Sequence, residues 1–224
     1  MHTRRRPAVS ALGLAALGLL AASFWVSLKL VPPDRLMGNV QRIMYVHVPA
    51  AWVGFLAFTI CFGASLLYLW RRDLRWDSLA RTSAELGVVF MGLSTALGSI
   101  WGKPTWGVWW TWDPRLTTAA ILLFVFLGYL ALRGFVDEPE RRARWSAAVG
   151  IVGFLDVPIV YLSVFWWRTL HQKPSGPETV ATPMRVALLL GMASFTLFFA
   201  FLLAERYRLA RLESELELAE VSHV

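Results

Sequence analysis

The sequence predicts an all-α integral membrane protein: one domain, a bundle of six transmembrane helices with a tryptophan-rich outer loop between the third and the fourth. Three observations predict it. The 224 residues are 57% hydrophobic with a mean hydropathy of +0.53, whereas soluble domains are about 45–50% apolar. The excess is gathered into six runs, each near the roughly 18–20 residues that cross a hydrocarbon core. The runs lack the polar alternation of barrel strands, so only helices satisfy their backbone in lipid.

The first run, 8–28, follows Arg4-Arg5-Arg6. That start is like a signal peptide's, but the apolar stretch exceeds the roughly 7–15 residues of a signal core, so it reads as a helix. The second, 46–70, contains Cys61, the sole cysteine. A single cysteine excludes an internal disulfide, and there is no C-x-x-C-H for covalent heme attachment; Cys61 reads as a buried packing residue. The third run is 83–101. The fourth, 116–132, is short and is expected to extend into its flanks. The fifth, 146–167, carries Asp156 two residues before Pro158. An acid inside a membrane is a functional candidate by default, but a proline frees backbone groups that an aspartate can bond, and the structural role is favoured. The sixth is 183–204, and the tail 205–224 spaces its charges so that the helix continues beyond the membrane.

The formal charge of +7 comes from 22 Lys and Arg against 15 Asp and Glu. It reads as a topology signal and gives no indication of nucleic acid. Fourteen of the 22 fall at the termini and in the second and fourth connections; the other eight fall in the remaining three. The positive-inside bias therefore places both termini in the cytoplasm. The connections near 29–45, 101–115 and 168–182 then face outward. No Walker motif is present, so ATP hydrolysis would belong to a partner.

The middle outer connection reads WGKPTWGVWWTWDP from Trp101 to Pro114. An aromatic belt accounts for one or two rings at a helix end; it does not account for Trp101, Trp106, Trp109, Trp110 and Trp112 together. Gly102, Pro104 and Gly107 are turn formers, so 101–117 is expected to be an ordered loop displaying aromatic faces to a flat apolar ligand. Asp113 before Pro114 is a cap and first-position pair for the next helix, and Arg115 is a candidate anion anchor. Of four histidines, His2 and His223 sit at the termini. His47 and His171 are 124 residues apart in sequence, yet the topology places both on the outer face beside the tryptophans. Neutral imidazole ligates transition metals and heme iron. Two imidazoles suit the two axial positions of a porphyrin, whereas a structural zinc site needs four ligands.

The WGKPTWGVWWTWDPRLT stretch resembles the WWD signature of heme-handling membrane proteins. YVHVPAAW and VPIVYLSVFWWRTLHQ resemble the segments that carry the two axial histidines in the CcmC family of cytochrome c maturation. The resemblance covers most of the chain. It implies a bis-histidine site for non-covalent heme b, with His47 and His171 as axial iron ligands. Trp101, Trp106, Trp109, Trp110, Trp112 and Asp113 would form the heme-binding surface on a periplasmic loop, with Arg115 beside it as the candidate cofactor anchor. It further implies a bacterial inner-membrane location, with the transporter subunits CcmA and CcmB, the small protein CcmD and the heme chaperone CcmE as partners. The related cytochrome c synthases are longer and read Trp-Asp-Pro-Lys-Glu where this chain has Trp-Asp-Pro-Arg-Leu. A membrane b-type cytochrome linked to quinol is the alternative function.

Overall fold

The computed structural model describes residues 7–173 and 180–222. The Arg4–Arg6 cluster, His2 and His223 lie outside the described residues. Among the described residues, six helical spans are long and apolar enough to cross a membrane. An even number of crossings returns the chain to its starting side. One end of the bundle therefore carries both termini, and the other carries the first, third and fifth connections.

Helix α1 (Pro7–Trp25) ends in a π-helical turn, Val26–Leu30. The Arg42 guanidinium donates to the carbonyls of Ser27, Leu28 and Val31. It thereby satisfies acceptors that a helix C-terminus leaves open and places a cation at the negative end of the dipole. A 3₁₀ turn, Asn39–Ile43, leads into α2 (Met44–Arg71), and α3 (Leu74–Trp106) returns antiparallel to it. Close approach of this pair depends on absent side chains. A Cβ at Gly87 would come within 2.4 Å of the Phe58 ring, and one at Gly54 within 3.1 Å of Met91. Small residues serve membrane helices in this way, since lipid provides no hydrophobic drive between them. Phe58 stacks on Phe126 of α4 (Pro114–Gly134) at 3.8 Å and 14°. Cys61, Leu122 and Tyr129 complete this fully buried centre.

The fifth span consists of two helices, α5 (Pro139–Phe154) and α6 (Asp156–Trp166). Pro158 has no N–H to give the carbonyl of Phe154, and the helix breaks between them. Asp156 sits at the start of α6, and its Oδ2 is buried without a partner among the described residues. Helix α7 (Thr182–Ser222) is continuous from the sixth span into the charged tail.

Three expected boundaries are corrected. Helix α3 begins at Leu74, where Asp73 caps it by accepting from the Arg75 N–H at 2.9 Å. Helix α5 begins at Pro139, where Glu138 accepts from the N–H groups of Glu140 and Arg141. Both charged connections that were expected to be loops are thus largely capped helix. The third correction lies in the tryptophan stretch. Residues 102–106, expected to be loop, are helical; the helix stops at Gly107, whose φ of +79° and N–H bond to the Lys103 carbonyl form a left-handed C-terminal cap. Pro104 is tolerated because it costs one hydrogen bond close to the end. The aromatic loop is therefore 107–113, and Trp101 and Trp106 stand on the last turns of α3.

At the end that carries the termini, Arg133 donates both of its terminal nitrogens to the Asp77 carboxylate at 2.7 Å. The tail of α7 lies against α3 there: Arg206 bridges to Glu85 at 2.7 Å and Arg81 to Glu213 at 3.0 Å.

Candidate functional site

The opposite end of the bundle gathers the residues singled out from the sequence. His47 is the fourth residue of α2. Its Nδ1 lies 2.8 Å from the Ser94 carbonyl of α3, and the Ser94 hydroxyl donates to the His47 carbonyl at 3.2 Å. The ring has space because position 98 is glycine: a Cβ there would come within 3.0 Å of His47 Cε1. His171 lies past α6, in an irregular segment. Its Nδ1 is 2.8 Å from the Gln172 carbonyl. A carbonyl is only an acceptor, so both Nδ1 atoms carry the proton, and both Nε2 atoms keep a free lone pair.

The two imidazoles come together across the bundle end, with ring centroids 6.4 Å apart and planes tilted by 37°. Trp101 meets His47 edge-on at 5.9 Å, and Trp106 meets His171 at 6.5 Å. So the two tryptophans on the helix flank the histidines. Two loop tryptophans face outward: Trp109 is 56% and Trp112 79% exposed, while the half-buried Trp110 packs edge-on against Trp112 at 5.7 Å. The indole N–H groups of Trp101 and Trp110 and the hydroxyls of Thr111 and Thr117 are buried with no partner among the described residues. Buried polar groups are otherwise nearly always bonded, so these four are free to serve a ligand that carries acceptor oxygens.

Asp113 is a cap and also a bridge. Its Oδ1 accepts from the Leu116 N–H of α4 at 3.0 Å. Its Oδ2 accepts from the Thr169 hydroxyl at 2.9 Å and the Leu170 N–H at 3.1 Å. Arg115, the second residue of α4, donates to the Val160 carbonyl of α6. Burial pushes the His171 pKa below its ordinary value. Arg115 acts in the same direction, while the Gln172 carbonyl and Asp113 pull the other way. At neutral pH the ring is therefore uncharged, the form that ligates metals. Among the described residues, no group of three or more His, Cys, Asp or Glu side chains is placed to hold a bare metal ion.

The family profile described as Heme exporter protein C matches residues 2–222. The chain belongs to the CcmC family. It is 39% identical over 196 residues to a Heme exporter protein C of Bradyrhizobium diazoefficiens, covering 85% of this chain and 74% of that one. The counterpart in Haemophilus influenzae is 36% identical over 203 residues, covering 88% and 82%, and that of Escherichia coli K12 is 34% identical over 199, covering 88% and 81%. A cytochrome c biosynthesis ccmC-like mitochondrial protein of Marchantia polymorpha is 34% identical over 183 residues, covering 82% of this chain and 76% of that one.

In this CcmC-family chain, three residues of the site escaped the sequence reading. Ser94 and Gly98 stand one turn apart on α3, where they read as ordinary small packing residues. Thr169 reads as one more polar residue past a helix end. Each acts through a neighbour distant in sequence, and no local spacing signals it.

Proposed function

We propose that this CcmC-family protein binds heme non-covalently at the bundle end opposite its termini, with His47 and His171 as the two axial ligands of the iron. It then hands the heme to a chaperone of the CcmE type during maturation of c-type cytochromes. The single observation that carries the reading is the paired histidines. Imidazole nitrogens bind metals at about 2.0–2.1 Å. Two rings on opposite sides of one metal then hold their centroids roughly 6 Å apart, and the observed separation is 6.4 Å. With both Nδ1 atoms committed to carbonyls, each ring offers Nε2, the usual arrangement when an outer partner fixes the tautomer.

The remaining residues fit the same ligand. Trp101 and Trp106 are positioned to cover an apolar ring beside the histidines. The unpartnered indole and hydroxyl groups, together with Arg115, suit its carboxylates. Trp109 and Trp112 stay exposed, as the handover surface for a partner. The chain's relatives named Heme exporter protein C support a transport and handling role, with ATP hydrolysis in a partner subunit of the CcmA–CcmB transporter and CcmD as a further small partner. The positive-inside bias puts the termini in the cytoplasm and the heme site at the periplasmic face of the bacterial inner membrane.

The test is the absorption spectrum of the detergent-purified protein, oxidised and reduced, beside His47→Ala and His171→Ala. A six-coordinate bis-imidazole heme spectrum is expected in the parent protein. Each variant should lose it and retain heme at least about tenfold less well, or about 1.4 kcal/mol. Equal heme content and an unchanged spectrum in both variants would remove the ligand assignment.

A further inference from the structure

The two histidines are held in very different ways. His47 belongs to a 28-residue helix, and its ring nitrogen and its own carbonyl are both tied to Ser94 of the neighbouring helix. With the ring flush against Gly98 as well, His47 is anchored between α2 and α3. His171 sits outside any helix. Among the described residues its ring bonds only the carbonyl of the next residue, Gln172, which travels with it. Its backbone N–H bonds the Thr169 hydroxyl at 3.1 Å. That hydroxyl and the Leu170 N–H both end on one atom, Oδ2 of Asp113. The other carboxylate oxygen is occupied with the cap of α4. One carboxylate thus fastens the His171 segment to the rigid bundle.

We infer that Asp113 is a positioning residue for His171, and that this latch makes His171 the ligand that lets go when heme leaves while His47 stays fixed. The inference rests on the proposed heme site. It gives Asp113 a task that its place in the tryptophan signature does not imply: it touches the histidine segment. The position of the latch connects it to the exposed loop. Asp113 directly follows Trp112, which is 79% exposed, so a partner that shifts this loop on docking also shifts the carboxylate. Thr169 and Leu170 then lose their acceptor, and His171 is freed while His47 still holds the iron.

Two variants of the full-length protein separate the latch from the cap. Thr169→Val keeps the side-chain shape, removes the hydroxyl and leaves the bond from Leu116 to Asp113 in place. Asp113→Asn has a single carbonyl oxygen, which serves either the cap or the His171 segment but not both. Hydrogen exchange of the heme-free protein comes first. The Leu170 and His171 amides should exchange at least about tenfold faster in both variants, with the Leu116 amide unchanged in Thr169→Val. In heme-loaded protein, Thr169→Val should show part of the spectral change of His171→Ala, reversed by added imidazole and absent in Thr169→Ser. Heme loss to excess apomyoglobin should be at least about tenfold faster than in the parent protein.

A parent protein with bis-imidazole heme, and variants with unchanged exchange, spectrum and heme loss, would overturn the latch while leaving the heme reading intact. Faster exchange with unchanged heme loss would overturn the assignment of His171 as the releasing ligand. A parent protein that takes up no heme would overturn the proposed function, and this inference with it.

Discussion

Asp77→Ala will destabilise the bundle by about 3–5 kcal/mol, the usual cost of removing one partner from a buried ion pair. The Asp77 and Arg133 side chains are only 10% and 9% exposed. They meet through two parallel bonds of 2.7 Å, and the guanidinium also lies 5.9 Å from the centre of the Tyr129 ring. Without the carboxylate, Arg133 is left as an unpaired charge among α3, α4 and the buried centre around Tyr129. Denaturant titration in detergent would measure the loss. The double variant Asp77→Leu with Arg133→Met should recover most of it, because well-packed apolar residues often replace a buried pair at little cost. A single variant as stable as the parent, or a double variant no better than the single, would show that the pair does not hold α3 to α4.

The second large effect is expected at Gly98→Val. A Cβ at that position already lies within 3.0 Å of His47 Cε1 and 3.4 Å of its Nδ1, and valine adds two methyl groups. The ring must leave the Ser94 carbonyl, which frees its tautomer and tilts its lone pair away from His171. Heme retention should fall at least about tenfold, close to the effect of His47→Ala, or about 1.4 kcal/mol. Gly92→Val on the same helix is the control, since nothing lies within 4 Å of a Cβ there. Equal retention in both variants would mean that Gly98 is not the wall that positions His47.

The six spans could be read from the sequence because length and apolarity alone decide whether a helix can cross lipid. The Asp113–Pro114 helix start was equally legible, because a cap is a local matter of side chain and backbone within three residues. The burial of Cys61 followed from its place in an apolar run. The boundaries that were misread share one cause. Gly102 and Pro104 read as turn formers, yet Gly102 lies under the Trp106 ring, where a Cβ would come within 3.1 Å of it. Glycine was there for packing, and the stop signal was Gly107, five residues later. Likewise the charges of 74–82 and 139–145 suggest loops, but Asp77 and Arg81 have partners on other helices, Arg133 and Glu213, and Glu138 caps the helix that runs through 139–145.

The sequence by itself determined the class of the protein, the number of crossings, the end of the bundle at which both histidines and all five clustered tryptophans lie, and the family resemblance. These depend on composition and short-range pattern, which the chain carries in every conformation. Only the tertiary structure decided which groups touch. It brought His47 and His171 to 6.4 Å and put the Ser94 carbonyl behind one ring. It also joined Asp113 to Thr169 across 56 residues. Such contacts arise where separate helices and a connecting segment meet, and their distances are set by how closely glycines let the backbones approach. No periodicity along a single segment encodes that.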